Sequence, residues 1–252
     1  MMVSNQCESN YATISGKVSS KPIFSHEVYG EGFYYFFVDV KRLSDSYDRI
    51  PVMASERLVS PEECEIGRSI YIEGQFRSYN QVSENHSRLM LMVFAREIDF
   101  HHVETEVSAE GQTENDCNQI VLNGYICKPP VYRKTPFNRE IADMLLAVNR
   151  SYNKSDYIPC ISWGRNARYC SKRTVGDNVK ITGRIQSRAY QKRHPDGSVE
   201  DKVAYEVSVI RLELLSAPEM ETETGMENAQ ESPENRTDPV QTAIPSQEAA
   251  NA

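Results

Sequence analysis

Laid against itself with a shift of 108 residues, the sequence brings Gly16 onto Gly124, Pro22 onto Pro130, Val40 onto Val148, Arg42 onto Arg150 and Pro51 onto Pro159. One inserted residue makes the shift 109, and Gly67 then meets Gly176, Ile72 meets Ile181, Gly74 meets Gly183 and Ser78 meets Ser187. The period is too long for a solenoid unit, so the chain is expected to hold two copies of one module. The first should occupy residues 11–105 and the second 118–215, with a polar, acidic linker over 106–117. From residue 216 the sequence "SAPEMETETGMENAQESPENRTDPVQTAIPSQEAANA" offers scarcely any side chain able to anchor a core. A disordered acidic tail is expected over 216–252.

The 252 residues carry a formal charge of −8, which taken whole argues against a polyanionic partner. The charge is not spread evenly. Residues 117–217 hold 17 Lys+Arg against 9 Asp+Glu, whereas residues 11–105 hold 10 against 14 and residues 218–252 hold 1 against 8. One module is strongly basic, and the acidity lies elsewhere. The six cysteines (Cys7, Cys64, Cys117, Cys127, Cys160, Cys170) form no CxxC pair, so reduced thiols are expected rather than a zinc site or a disulfide framework. His101 and His102 have no cysteine or carboxylate at metal spacing and read as the end of a module. No cofactor and no metal are expected. "MMVSNQCESN" lacks a basic segment followed by an apolar run, and nowhere do 18 apolar residues follow one another. A soluble cytoplasmic location is expected.

The second copy reads mostly as strand: "NQIVLNGYICK" alternates, "REIADMLLAVNR" is a longer run, and "SDYIPCISW" follows. "GRNARYCSKRT" can form a short helix before the strands "VGDNVKITGRIQSRAY" and "KVAYEVSVIRLEL". Gly124 and Gly183 inside strands mark places where a strand must bend or bulge, and Pro159 and Pro51 fit a strand only at an edge or a bulge. Five strands with a helix between the third and fourth is the order of an OB-fold. The fold class expected is all-β: two tandem five-stranded Greek-key barrels, each with a short helix. In "SDYIPCISWGRNAR" a period of two sends Tyr157, Pro159, Ile161, Trp163 and Arg165 to one face, and Ile158, Cys160 and Ser162 to the other. The second set suits a core. The first puts two large aromatics, one of them the only tryptophan, where a wetted surface is expected.

The stretches "GYICKPPVYRKTPFNREIADMLLAVNR", "SDYIPCISWGRNAR" and "VGDNVKITGRIQSRAY" resemble, in order and spacing, the bacterial single-stranded DNA-binding protein family over residues 118–215. Primosomal replication protein N, a related single-barrel family, is a neighbouring possibility. The resemblance implies base-stacking aromatics at Tyr157, Trp163 and Tyr190, with Arg165, Arg184 and Arg188 beside them for phosphate. An aromatic platform agrees with this independently, because every base has a π-face and stacking is indifferent to sequence. Tyr132 and Phe137, flanked by Arg133, Lys134 and Arg139, read as a basic and aromatic hairpin loop, the alternative being a turn of solvated charge. Arg150, which closes the "LAVNR" run, is expected among the DNA-binding residues. Lys192, Arg193 and His194 read as a strand-to-strand tip that touches the nucleic-acid backbone, or as an ordinary exposed hairpin.

The first copy departs from the pattern. Ser55 stands where the second copy has Trp163, Arg49 for Tyr157, Gln81 for Tyr190 and Glu31 for Arg139, although Arg57 matches Arg165. Its "FYYFFVDV", aromatic on both faces, fits a strand buried between barrels, so assembly is its expected role. Family members typically end in an acidic tip with a Pro-Phe that docks replication and repair proteins, whereas this sequence stops at "IPSQEAANA". Partners expected are single-stranded DNA and, by the resemblance to four-barrel assemblies, a second copy in a homodimer. Sequence-independent protection of single-stranded DNA is the expected function; the alternative is a primosomal-type interaction protein for which DNA is secondary. No nucleophile with its base and no phosphate-cradling glycine loop appears, so an enzyme is not expected.

Overall fold

The computed structural model describes residues 9–42, 44, 46–83, 86–100, 117–193 and 197–216, with backbone alone at 81–83 and 86–88. The expected acidic tail from 217 onward, most of the linker, and His101, His102 and His194 lie outside the described residues. In the first half the strands are β1 (Asn10–Val18), β2 (Ile23–Val28), β3 (Glu31–Lys41), β4 (Tyr47–Ser55), β5 (Ser69–Ser83) and β6 (His86–Asp99). In the second they are β7 (Asn118–Ile126), β8 (Val131–Lys134), β9 (Glu140–Arg150), β10 (Lys154–Trp163), β11 (Asn178–Arg193) and β12 (Val199–Ser216), with the helix α1 (Arg165–Cys170) between β10 and β11.

The strands run in the order β2-β3-β4-β6-β5-β1-β7-β11-β12-β10-β9-β8, and the extra pairings β3–β1 and β7–β9 close each half on itself. Each half is therefore a five-stranded barrel with one added hairpin arm, β2 or β8, paired only to the second barrel strand. This is the tandem OB-fold. Strand alternation fills the interiors: Ile158, Cys160 and Ser162 are buried, as are Ala142, Met144, Leu146 and Val148 of β9. A Cβ at Gly124 would lie 2.5 Å from the Ala147 carbonyl oxygen, and one at Gly183 would lie 2.4 Å from that of Ser208. Gly183 also sits where the β11–β12 register shifts, so its place at a bulge follows from the same close approach. Pro159 pairs with Leu145 on β9, while the side of β10 toward β12 is unpaired until Cys160, which meets the condition for a proline in a strand.

The barrels are joined by antiparallel pairing of β1 with β7, in which Asn10 faces Leu122, Ala12 faces Ile120 and Ile14 faces Asn118. Ala12 and Ile120 are equivalent under the repeat, so the pairing is symmetric about them. The same two-fold relation governs a pair of side-chain clasps. Ser187 N donates to Asp48 Oδ1 at 2.6 Å, and Ser78 N donates to Asp156 Oδ1 at 2.8 Å. Arg42 pairs with Asp48, and Arg150 with Asp156 at 3.4 Å. The repeated Arg42/Arg150 and Ser78/Ser187 of the sequence are thus the parts of a reciprocal inter-barrel contact.

Two expectations are corrected. "FYYFFVDV" does not lie between the barrels: β3 pairs with β1, β2 and β4 of its own half, because the joining edge is supplied by β1 and β7. Phe36, Val38 and Val40 fill the core, whereas Phe33, Tyr35 and Phe37 are half-buried on the outer face, Phe33 packing on Phe94 at 5.8 Å between ring centroids. Nor does the first barrel have its helix. Residues 56–67 form turns, in which Leu58 N and Val59 N both donate to the Ser55 carbonyl, and Ser60 and Pro61 begin a separate turn. Proline cannot continue a helix through that point.

Candidate nucleic-acid interface

Alternation along β10 places Tyr157 and Trp163 on the outer face, 47% and 40% exposed. Registered neighbours share a face, so the platform can be followed from strand to strand. Arg133, Ile141 and Trp163 form one cross-strand row on β8, β9 and β10. Val131, Asp143, Ile161, Ser208 and Arg184 form the next, which carries the face from β8 across to β11. Along β11, Arg184, Gln186, Arg188, Tyr190 and Lys192 follow at intervals of two and stand on that same face. Tyr190 is 39% exposed, and the Arg188 guanidinium lies 5.8 Å from its ring centroid while facing Glu206 at 3.8 Å. Arg193, one residue on, points to the other face, and both Lys192 and Arg193 are exposed at the strand end.

Beside Trp163 the chain turns at Gly164, with φ +56°, into α1, whose first residue Arg165 is exposed. Lys134, Arg139, Arg168 and Trp163 line an open cleft of ≈ 600 Å³ in which Glu140 is the acid. Tyr132 Oη donates to Glu140 Oε1 at 2.6 Å and Arg168 Nε to Oε2 at 2.7 Å, and these two bonds hold the Glu140 carboxyl below the usual carboxylate range. Arg133 pairs with Asp143 at 2.8 Å. Phe137, at the hairpin tip, is 87% exposed. Arg139, Arg165 and Arg184 form no ion pair among the described residues, so their charge is available to an incoming anion. Arg150 stands apart from these residues, in the clasp with Asp156.

Two residues were not singled out from the sequence. Tyr125 faces outward on β7, exposed, in the cross-strand row Tyr125, Ala147, Tyr157. The signal was the same alternation that exposed Tyr157, since Leu122, Gly124 and Ile126 take the inner positions of that strand. Arg168 is the other; its helical position gave no pattern to read.

In the first barrel the equivalent positions are neutralised among themselves. Arg49 makes two bonds to Asp39 at 2.8 and 3.0 Å, Arg57 pairs with Glu31 at 3.3 Å, and Ser55 Oγ donates to Glu31. No group of metal-ligating side chains occurs among the described residues, and no helix there is long and apolar enough to cross a membrane. The five described cysteines are unpaired, and Cys64, Cys160 and Cys170 are buried.

The model of the single-strand binding protein family matches residues 117–215. Single-stranded DNA-binding protein B of Bacillus subtilis is 37% identical over 84 residues, which cover 29% of this chain and 72% of that protein. Single-stranded DNA-binding protein 1 of Lactococcus lactis is 35% identical over 83 residues, covering 30% of this chain and 55% of that protein. The crystal structure of the wild-type single-stranded DNA binding protein from Thermus aquaticus superposes with a TM-score of 0.58 and 19% identity, over 84% of this chain and 96% of that one. That likeness concerns the fold and extends over both barrels. The family match over the whole second barrel, with a relative covered over most of its length, settles the membership: the chain belongs to the single-strand binding protein family, a family of binding proteins and not of enzymes.

Proposed function

We propose that the chain binds single-stranded DNA without regard to sequence, through stacking of bases on Tyr157, Trp163 and Tyr190 and pairing of phosphates with Arg165, Arg184, Arg188 and the basic hairpin. The observation that carries this reading is that Arg133, Trp163, Arg184 and Tyr190 stand on one outer face, while Ile141 and Ile161 of the same cross-strand rows are buried. Half-exposed rings beside guanidiniums, of which Arg165 and Arg184 form no ion pair among the described residues, suit a polymer in which flat bases alternate with anions. Tyr132, Phe137, Lys134 and Arg139 extend the face, and Lys192 lies at its far end, with Arg193 next to it turned to the other side of the strand. The test is titration with oligo-dT while Trp163 fluorescence is followed. Trp163→Ala and Tyr157→Ala, the former read through a labelled oligomer, should each weaken binding by about 1–3 kcal/mol with folding retained. The slope of log K against log salt should be near −0.7 for each phosphate neutralised. Variants that unfold, or that fold and bind as the parent does, would show these rings to be packing residues.

Assembly into a homodimer belongs to the same reading. The edge strand β2 pairs on one side only and is exposed along its whole length, with Ile23, Phe24 and Val28 outward. An apolar unpaired edge is a surface that a second copy can cover. Light scattering decides it: twice 28.7 kDa supports the dimer, and the mass of one chain across micromolar concentrations refutes it.

A further inference from the structure

β10 enters the platform with one edge bare. It pairs with β9 along its whole length, but on its other side it meets β12 only from Cys160 onward. Before that point the edge turns toward the first barrel, where Ser78 of β5 closes it in both directions. The Ser78 N–H donates to Asp156 Oδ1 at 2.8 Å, and its Oγ accepts from Tyr157 N at 2.7 Å. Two residues on, where the next N–H would point to the same edge, the chain has Pro159, which brings no donor. Resting on the single-strand reading above, we infer that Ser78 is a positioning residue for the platform: through the Tyr157 amide it fixes where the Tyr157 ring stands, so a stacking ring of the second barrel is set by a side chain of the first.

The ring has no anchor of its own. Tyr132 is tied through its hydroxyl to Glu140, and Tyr190 has the Arg188 guanidinium beside it. Tyr157 has neither a ring contact nor a hydroxyl partner among the described residues, so the backbone beneath it decides its place. A group that stacks a base works only when it is held in position, and the residues behind it do the holding. Ser78 and Asp156 are both buried, so water does not compete for their bonds to each other and to that backbone. The contact is also duplicated, and only one copy bears a stacking ring. Ser187, the equivalent of Ser78 under the repeat, donates through its N–H to Asp48 at 2.6 Å and accepts from Arg49 N at 3.2 Å, with Pro51 repeating Pro159. The residue mounted there is Arg49, which bonds Asp39 at 2.8 and 3.0 Å and offers no aromatic face. The hydroxyl bond is the tighter of the two where it carries the ring, 2.7 against 3.2 Å. One junction thus holds two strand edges in the same way, and the difference between them is what stands on each.

The test uses the full chain, oligo-dT and Trp163 quenching, with Ser78→Ala, Ser187→Ala, Tyr157→Ala and the double variant combining Ser78→Ala with Tyr157→Ala. Each serine change keeps the N–H bond to the aspartate and removes only the hydroxyl, and urea midpoints check that the variants fold. Ser78→Ala should bind about fivefold more weakly, the lower end of what one stacked base is worth, and Ser187→Ala should bind as the parent does. In the Tyr157→Ala background the Ser78 change should have no further effect on affinity, because its route to the strand is already gone. The Tyr157 amide should be protected from hydrogen exchange in the parent and lose that protection in Ser78→Ala. Parental affinity in Ser78→Ala would overturn the inference, and so would an equal loss in Ser187→Ala, which would mean a general loosening of the junction. A loss that persists undiminished on top of Tyr157→Ala, or a Tyr157 amide that exchanges freely in the parent, would overturn it too. All of these outcomes leave the single-strand reading standing, whereas absence of quenching and of binding in the parent would remove that reading and this inference with it.

Discussion

Replacing Asp48 by alanine should cost far more stability than its exposed neighbours would suggest. Asp48 is 1% exposed and accepts bonds from Arg42 Nε at 2.7 Å, from Arg42 Nη2, from Ser187 N at 2.6 Å and from Ser187 Oγ at 3.3 Å. Its loss leaves the Arg42 guanidinium without its counter-charge, holding only the Ser187 carbonyl at 2.8 Å, and leaves the Ser187 N–H at the barrel junction without its acceptor. Breaking a buried pair from one side costs about 3–5 kcal/mol. The Arg42 side chain keeps 27% exposure, so water can rehydrate part of it, and the lower end, about 3 kcal/mol, is expected. Asp156 offers an internal comparison, since its clasp holds one close bond, from Ser78 N at 2.8 Å, and an arginine at 3.4 Å. Asp156→Ala should therefore cost less, about 1.5 kcal/mol, the lower end of the range for one charge-assisted bond. Urea unfolding followed by Trp163 fluorescence and circular dichroism measures both. Arg42→Ala combined with Asp48→Ala should be less destabilising than the sum of the two, because the second change removes a charge already orphaned. A cost below about 1 kcal/mol for Asp48→Ala, or equal costs for the two aspartates, would refute the assignment of the clasp.

Gly124→Ala and Gly183→Ala should each lower the melting temperature, since the added methyl would sit 2.5 and 2.4 Å from the carbonyl oxygens of Ala147 and Ser208; unchanged melting would show that the strands can part at no cost. The buried thiols give a pH dependence. Burial pushes the Cys64 thiol up to about 11 from an ordinary 9.0, so below 9 both folded and unfolded forms hold the proton. As pH rises from 9 toward 11 the unfolded thiol ionises first, and this part of the stability is lost. Urea midpoints at the two ends of that window should fall more steeply for the parent than for Cys64→Ala; equal slopes would exclude the thiol as the cause.

Much of the second barrel was legible from residues alone, because a strand's period of two is local geometry. The alternation in "SDYIPCISW" separated Tyr157 and Trp163 from Ile158 and Cys160 before any partner strand was known, and the burial agrees. The repeat, likewise, needed only self-comparison. Division of the charge along the chain set the basic module apart from the acidic remainder, which whole-chain composition concealed.

Tertiary structure decided how the two copies meet. Pairing of β1 with β7 joins segments 108 residues apart, and nothing in either strand distinguishes that edge from the others. For the same reason the aromatic run on β3 was assigned to the wrong surface: apolar character shows that a residue seeks cover, while long-range pairing decides what covers it. Arg42, Ser78, Arg150 and Ser187 were visible as repeated letters, but their shared purpose required the two halves to be brought within hydrogen-bonding distance. An open slot on the first barrel, lined by Met53, Tyr79, Met92 and Phe94, could not be read from the sequence either, since these residues come from three strands and become one surface only through the register of the ladder. Period and charge are properties of neighbours along the chain, whereas a site made across strands exists only where the barrel closes.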